Sequence, residues 1–291
     1  MVSFSHETPD LVTTDLLLEQ VNQQLKNATI DSSHSELLLK MTEALADSRG
    51  LVRLSLVEAF GKIGKPAIPF LLEALQQHHN PVVRRSAAKA LAQIQQPDTI
   101  NHLIAAMVRD EDTVVRSSSA GALARIGASA LPALLKIVRG NYPNSVKGQA
   151  SWAMAYVGVE AVKPLHEALK SDDKNVRLAA LEAITKIAEE HGDELSQQSI
   201  ASSLEDEDIE VRLEAIMALS RLPSELALPY LLPLLKKDDI ESKKRAILAL
   251  GKLAKPETLP LLEDLINSQQ EGIPLFANIA ISQIKNSSEV K

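Results

Sequence analysis

The apolar positions of this chain fall into one pattern that recurs along it. In Val83-Arg84-Arg85-Ser86-Ala87-Ala88-Lys89-Ala90-Leu91-Ala92-Gln93-Ile94, the residues Ala87, Ala90, Leu91 and Ile94 share one face at helical spacing, while Arg85, Lys89 and Gln93 share another. With Arg84 as anchor, the same frame returns at Arg53, Arg116, Lys147, Arg177, Arg212 and Lys243, in steps of 31, 32, 31, 30, 35 and 31 residues. Six residues past each anchor stands an alanine: Ala59, Ala90, Ala122, Ala153, Ala183, Ala218 and Ala249. Ten past stands an aliphatic: Ile63, Ile94, Ile126, Val157, Ile187, Leu222 and Leu253. A degenerate copy at Pro274 still puts Ala280 and Ile284 in those slots. A register held this long identifies a repeat array, in which each unit contacts mainly its neighbours.

Each unit predicts two helices. The first reads as Ile68-Pro69-Phe70-Leu71-Leu72, Leu131-Pro132-Ala133-Leu134-Leu135 or Leu259-Pro260-Leu261-Leu262, with proline in a first turn where its missing N–H costs nothing. A short acidic turn follows, as in Arg109-Asp110-Glu111-Asp112 or Glu205-Asp206-Glu207-Asp208, and can cap the second helix. Gly64, Gly127 or Pro223 is expected to close that second helix. The long step between Arg177 and Arg212 places an insertion around Glu189-Glu190-His191-Gly192-Asp193. Residues 1–34 read as a tail and a capping helix over Asp10 to Lys26, with a loop from Asn27 to His34. Residues 35–285 form the array, and residues 286–291 a frayed C-terminal tail.

Composition narrows the setting. Aromatics are 3% of the 291 residues, which suits close helix packing without large aromatic cores. The chain has no cysteine, so it offers no disulfide, thiolate metal site or thioether attachment of its own. Its net charge of -7 argues against wholesale nucleic-acid binding. No stretch is expected to reach the roughly 18 apolar residues of a membrane span. The opening Met-Val-Ser-Phe-Ser-His lacks the regions of a signal peptide, so a cytoplasmic protein is expected.

Candidate chemistry lies on the second helices, on the side away from the core. Nine residues past the anchor stand Lys62, Gln93, Arg125, Tyr156, Lys186, Arg221 and Lys252, and five past stand Glu58, Lys89, Gly121, Trp152, Glu182, Met217 and Leu248. These two rows lie one turn apart on a helix. Their cations predict a basic stripe along a concave groove, able to receive an acidic partner surface or ligand carboxylates. In the middle stand the single tryptophan, Trp152, and Tyr156, with Gly121 and Gly148 leaving space, Arg125 and Lys186 flanking, and Tyr142 in the preceding turn. Such residues suit an interface anchor or a clamp on a flat conjugated ligand. A packing role for Trp152 between units is the structural alternative. His78-His79 reads as a solvated turn, and no residue is assigned as catalytic or as a metal ligand.

The motif V-R-x-x-A-A-x-A-L, present at Val83 to Leu91 and in part at Val176 to Leu181, followed by x-x-L-P-x-L, resembles the HEAT family. More narrowly it resembles the short HEAT-like repeats of cyanobacterial phycobilisome lyases, over residues 35–285. The resemblance implies an all-α, right-handed α-solenoid of about eight HEAT-like helical pairs. It implies a protein-binding scaffold or adaptor acting through its concave face on phycobiliproteins or phycobilisome components. The alternative it implies is a bilin lyase or lyase-like chaperone, which holds a linear tetrapyrrole such as phycocyanobilin non-covalently and passes it to a phycobiliprotein cysteine. A hetero-oligomer with another HEAT-repeat subunit fits the same family. Deoxyhypusine hydroxylase shares the repeat, but its iron-holding His-Glu pairs are missing after every anchor, from Leu54-Ser55 to Lys244-Arg245.

Overall fold

The computed structural model describes residues 10–27, 35–237 and 239–289. The expected N-terminal tail and most of the loop before His34 lie outside the described residues. The chain divides into two compact units, one ending at Val157 and one beginning at Gly158.

The first unit contains α1 (Leu11–Lys26), α2 (Ser35–Ala44), α3 (Gly50–Ile63), α4 (Ile68–Gln77), α5 (Pro81–Ile94), α6 (Ile100–Arg109), α7 (Thr113–Ile126), α8 (Leu131–Arg139) and α9 (Asn144–Met154). The second contains α10 (Val162–Ala168), α11 (Lys174–His191), α12 (Glu194–Ser202), α13 (Ile209–Leu219), α14 (Ser224–Leu234), α15 (Ile240–Leu253), α16 (Leu259–Asp264) and α17 (Ile273–Glu289). The fold is all-α, in repeated pairs. In the first unit, α3, α5, α7 and α9 pack side by side as one layer, and α2, α4, α6 and α8 as another. In the second unit, α11, α13, α15 and α17 form the corresponding layer.

The alanine register is what lets these helices approach. The alanine six past each anchor is at most 1% exposed in every copy, Ala280 included. Helix axes 8–10 Å apart leave no room there for a larger side chain, and overpacking costs about 1–3 kcal/mol. Gly251, eight past its anchor, is tighter still: a Cβ there would lie 2.8 Å from Ala280 Cα. Helix α17 differs from its predecessors in the polarity of its outward side. The slots four and eight past the anchor are buried as Ile216 in α13 and Ser220 just past it, and as Ile247 and Gly251 in α15, but in α17 they are Asn278 and Ser282, both exposed. Helix α17 runs on to Glu289, past Lys285, where the sequence reading ended it.

The anchor itself proves to be a joint between repeats. Arg84 donates through Nε and Nη2 to Asp110 at 2.9 and 3.0 Å, and through Nη1 to the His78 carbonyl at 3.0 Å. Arg177 does the same with Asp206 at 2.8 Å and with the Ser171 carbonyl at 2.8 Å. Arg212 reaches Asp239 at 3.2 Å, and Lys243 reaches Gln270 at 2.6 Å. Arg84, Arg177 and Arg212 thus tie their own turns to the next ones, whereas Arg53 and Arg116 bond the carbonyls of Asp47 and Asp110 in their own turns. The neighbouring acids take the capping role as expected: Asp112 accepts from Val114 and Val115 N–H, and Asp208 from Glu210 N–H.

Several local expectations change. Gly64 and Gly127 do close α3 and α7, at φ of 77° and 81°, but α13 stops at Leu219, and Pro223 instead precedes α14. The insertion lengthens α11 to 18 residues, against 14 in α5, before Gly192 ends it in the left-handed region. His78 is not solvated. It is 3% exposed, stacks on His79 at 4.5 Å, and its Nδ1 accepts the Asn80 N–H at 3.0 Å. Contrary to expectation, the stretch Thr113–Arg139 is long and apolar enough to cross a membrane by length and composition. Here it is two helices, α7 and α8, broken by a 3-10 turn at Gly127–Ala130.

Helix α1 covers α3 with Thr14, Leu18 and Val21, as a capping helix should, and Arg49 pairs with Asp15 at 2.8 Å to fix it. Its outer side still carries Leu11, Val12 and Leu16 exposed.

Candidate site on the second-helix face

The positions three, six and seven past each anchor are buried in all copies, so those five and nine past must face outward, and none of the latter is buried. In the first unit this face carries Glu58 and Lys62 on α3, Lys89 and Gln93 on α5, Gly121 and Arg125 on α7, and Trp152 with Tyr156 at α9.

Trp152 is 48% and Tyr156 50% exposed, with ring centroids 5.0 Å apart and planes tilted by 42°. Half-exposure rules out the packing role for Trp152. The pair is not on one helix, because α9 ends at Met154 and Tyr156 stands in the turn beyond, its N–H bonded to the Ala153 carbonyl at 3.1 Å. The turn before α9, Gly140 to Asn144, has no carboxylate. Arg116 therefore has no acid to bridge to there, and its Nη1 bonds only the Asp110 carbonyl at 3.2 Å.

Gly121 and Gly148 flank this pair with open space: a Cβ at either would meet no atom within 4 Å. Both sit in helices, where glycine costs about 0.5–1 kcal/mol relative to alanine. Neither packing nor backbone conformation requires them. Lys89 and Arg125 are exposed and form no ion pair among the described residues. Arg125 Nε donates to the Ala92 carbonyl at 3.3 Å, near the C-terminal end of α5, and this fixes its stem while its charge faces outward.

One residue on this face escaped the sequence reading. Gln149, three residues before Trp152 and so on the same helical face, has a buried Oε1 without a partner. Only the helical spacing from Trp152 could have pointed to it.

Other predicted members are not brought into this arrangement. Tyr142 lies near the opposite end of α9, folded against Gly140, where a Cβ would be 2.7 Å from its ring. At 1.5 Å rise per residue it stands on the order of 12 Å or more along the helix from Trp152. Lys186 and Arg221 belong to the second unit, and both are engaged. Lys186 pairs with Glu190 at 2.9 Å and Glu189 at 4.0 Å; Arg221 stands 3.9 Å from Glu189 and 3.6 Å from Glu214. The Glu214 carboxyl is pushed up from its ordinary range, first by burial, against the pull of Arg221. The expected continuous basic stripe is thus interrupted at α11, because the insertion that lengthens this helix brings in Glu189 and Glu190.

The family described as HEAT repeats matches residues 38–124, 131–198 and 197–277. The bilin biosynthesis protein MpeU of Synechococcus sp. (strain WH8020) is 33% identical over 206 residues, 70% of this chain and 69% of that protein. The chain is a HEAT-repeat protein of the phycobilisome lyase family. Among solved structures it is similar to the complex of CpcE and CpcF of phycocyanin lyase from Nostoc sp. PCC7120, at 17% identity and a TM-score of 0.32, over 62% of this chain and 96% of that one. Human deoxyhypusine hydroxylase is also similar, at 19% identity and a TM-score of 0.39, over 94% and 98% of the two chains.

Proposed function

We propose that the second-helix face of the first unit holds a linear tetrapyrrole non-covalently and presents it to a phycobiliprotein, as a bilin lyase or lyase-like chaperone. The observation that carries this reading is the exposed Trp152–Tyr156 pair standing beside two helical glycines that open onto empty space. Trp152 and Tyr156 offer aromatic surface to a flat conjugated ligand. Gly121 and Gly148 leave room for its edge, and Lys89 and Arg125 can pair with propionate side chains. The chain has no cysteine, so a thioether would form on the phycobiliprotein and this chain would place and shield the pigment. Similarity to a protein named for bilin biosynthesis puts this reading ahead of a pure scaffold. A companion HEAT-repeat subunit fits the same reading.

The test is to add phycocyanobilin to the purified chain, alone and with an apo-phycobiliprotein, and follow the visible spectrum. A saturable shift, together with faster attachment, is expected. If the spectrum does not move and attachment is not stimulated, the tetrapyrrole reading fails and the scaffold reading stands.

A further inference from the structure

The second unit carries a different surface in the same slots. Five past the anchor, α13, α15 and α17 present Met217, Leu248 and Ile279 in succession. The first two are half-buried, and Ile279 is 39% exposed, with Leu275 beside it at 62%. Helices packed 8–10 Å apart make this an apolar row of about 16–20 Å. Cations border it: Arg221 and Lys252 nine past their anchors, and Arg245 two past its own. Lys252 and Arg245 form no ion pair among the described residues, although Arg245 attracts the Glu214 carboxyl at longer range, and Arg221 is held by Glu189 and Glu214.

We infer that this row is a docking surface for an amphipathic helix of a partner protein, apolar on one side and flanked by carboxylates. The length matches: the row spans about 11–13 residues of helix at 1.5 Å each, and residues spaced i, i+7 fall about 10.5 Å apart, close to the spacing of successive rows. The charge matches as well. Arg245 and Lys252 would face the acidic flanks, and the acidic helix is the occupant that this cationic border selects. This inference stands independently of tetrapyrrole binding, because it uses none of the residues of the first unit.

The experiment uses the full chain and two labelled 18-residue helical peptides that share one leucine stripe, one with glutamates and one with lysines at the remaining positions, read by fluorescence anisotropy. The glutamate peptide is expected to bind at least about tenfold more tightly than the lysine peptide. Leu248→Asp should weaken it by at least about tenfold, and Trp152→Ala should leave it unchanged. Because Leu248 is half-buried, the double variant Arg245→Glu/Lys252→Glu provides a second route to the same loss, with circular dichroism melting to show that both variants fold. Equal binding of the two peptides, no binding of the glutamate peptide, or full binding by both variants overturns the proposal. Loss of binding in Trp152→Ala alone would move the surface to the first unit and likewise overturn it.

Discussion

The two units share a core register and differ on the face that the register leaves free. In the first unit, Lys89 and Arg125 form no ion pair among the described residues, two glycines open onto space, and two aromatic rings stand half-exposed. In the second, Lys186 and Arg221 are tied to Glu189, Glu190 and Glu214, and the central row turns apolar. The anchors are alike in both: Arg84 bonds Asp110 as Arg177 bonds Asp206. Stacking dictates the slots three, six, seven and ten past the anchor and the arginine joint. It is indifferent to those five and nine past, so that is where one fold can carry two surfaces.

The largest expected effect tests the shared part. Asp110→Ala and Asp206→Ala each leave a buried guanidinium, 8% and 6% exposed, without its carboxylate. Each should cost about 3 kcal/mol in denaturant unfolding, with similar values in the two units. A large loss in one and none in the other would show that the joints are not equivalent.

The next effects separate the faces. Trp152→Ala should weaken phycocyanobilin binding by about 2 kcal/mol while leaving the melting temperature nearly unchanged, since the ring is half-exposed. Lys89→Glu and Arg125→Glu should each weaken it about tenfold, more so at low salt. Lys186→Glu should not, because Lys186 belongs to the other unit and is paired there. Equal losses from all three charge reversals would mean that only the overall charge of the chain matters.

Smaller effects sharpen the reading of the glycines and of the acid cluster. Gly121→Ala and Gly148→Ala should each stabilise the chain by about 0.5–1 kcal/mol, because the added methyl meets nothing and the helix gains propensity. If those glycines serve ligand access, the same variants bind phycocyanobilin more weakly, so stability and binding move in opposite directions. In the second unit, burial raises the Glu214 carboxyl above its ordinary value of 4.5. The unfolded chain then ionises first as pH rises through 4.5, and Glu214 opposes folding above that point. Glu214→Gln should therefore raise the melting temperature at pH 7 and leave it unchanged well below pH 4.5, where both states are protonated. A variant that melts lower at pH 7 would contradict the sign.

Much of the fold was legible because a repeat writes its packing at fixed spacing. The alanine and aliphatic slots located the second helices and their buried side, and the exposure of the slots five and nine past each anchor followed from the same geometry. What the spacing could not show were contacts between residues far apart in sequence. The arginine at each anchor marked the register, yet its partner lies 26 residues on for Arg84 and 29 for Arg177, in the next turn. The pairing of Lys186 and Arg221 was hidden for a related reason: the insertion that adds Glu189 and Glu190 appeared only as a gap in the register. Of the candidate site, Trp152 and Tyr156 came together as expected, but Tyr142 was placed with them by closeness in sequence, which a helix axis undoes.

The most direct test of the central claim uses the single tryptophan of the chain. Trp152 fluorescence and its quenching by acrylamide would be measured with and without saturating phycocyanobilin. If the pigment lies on the Trp152–Tyr156 pair, emission falls with a one-to-one titration and the remaining emission becomes protected from acrylamide. A saturable pigment spectrum with unchanged acrylamide access to Trp152 would place the pigment elsewhere and contradict the account.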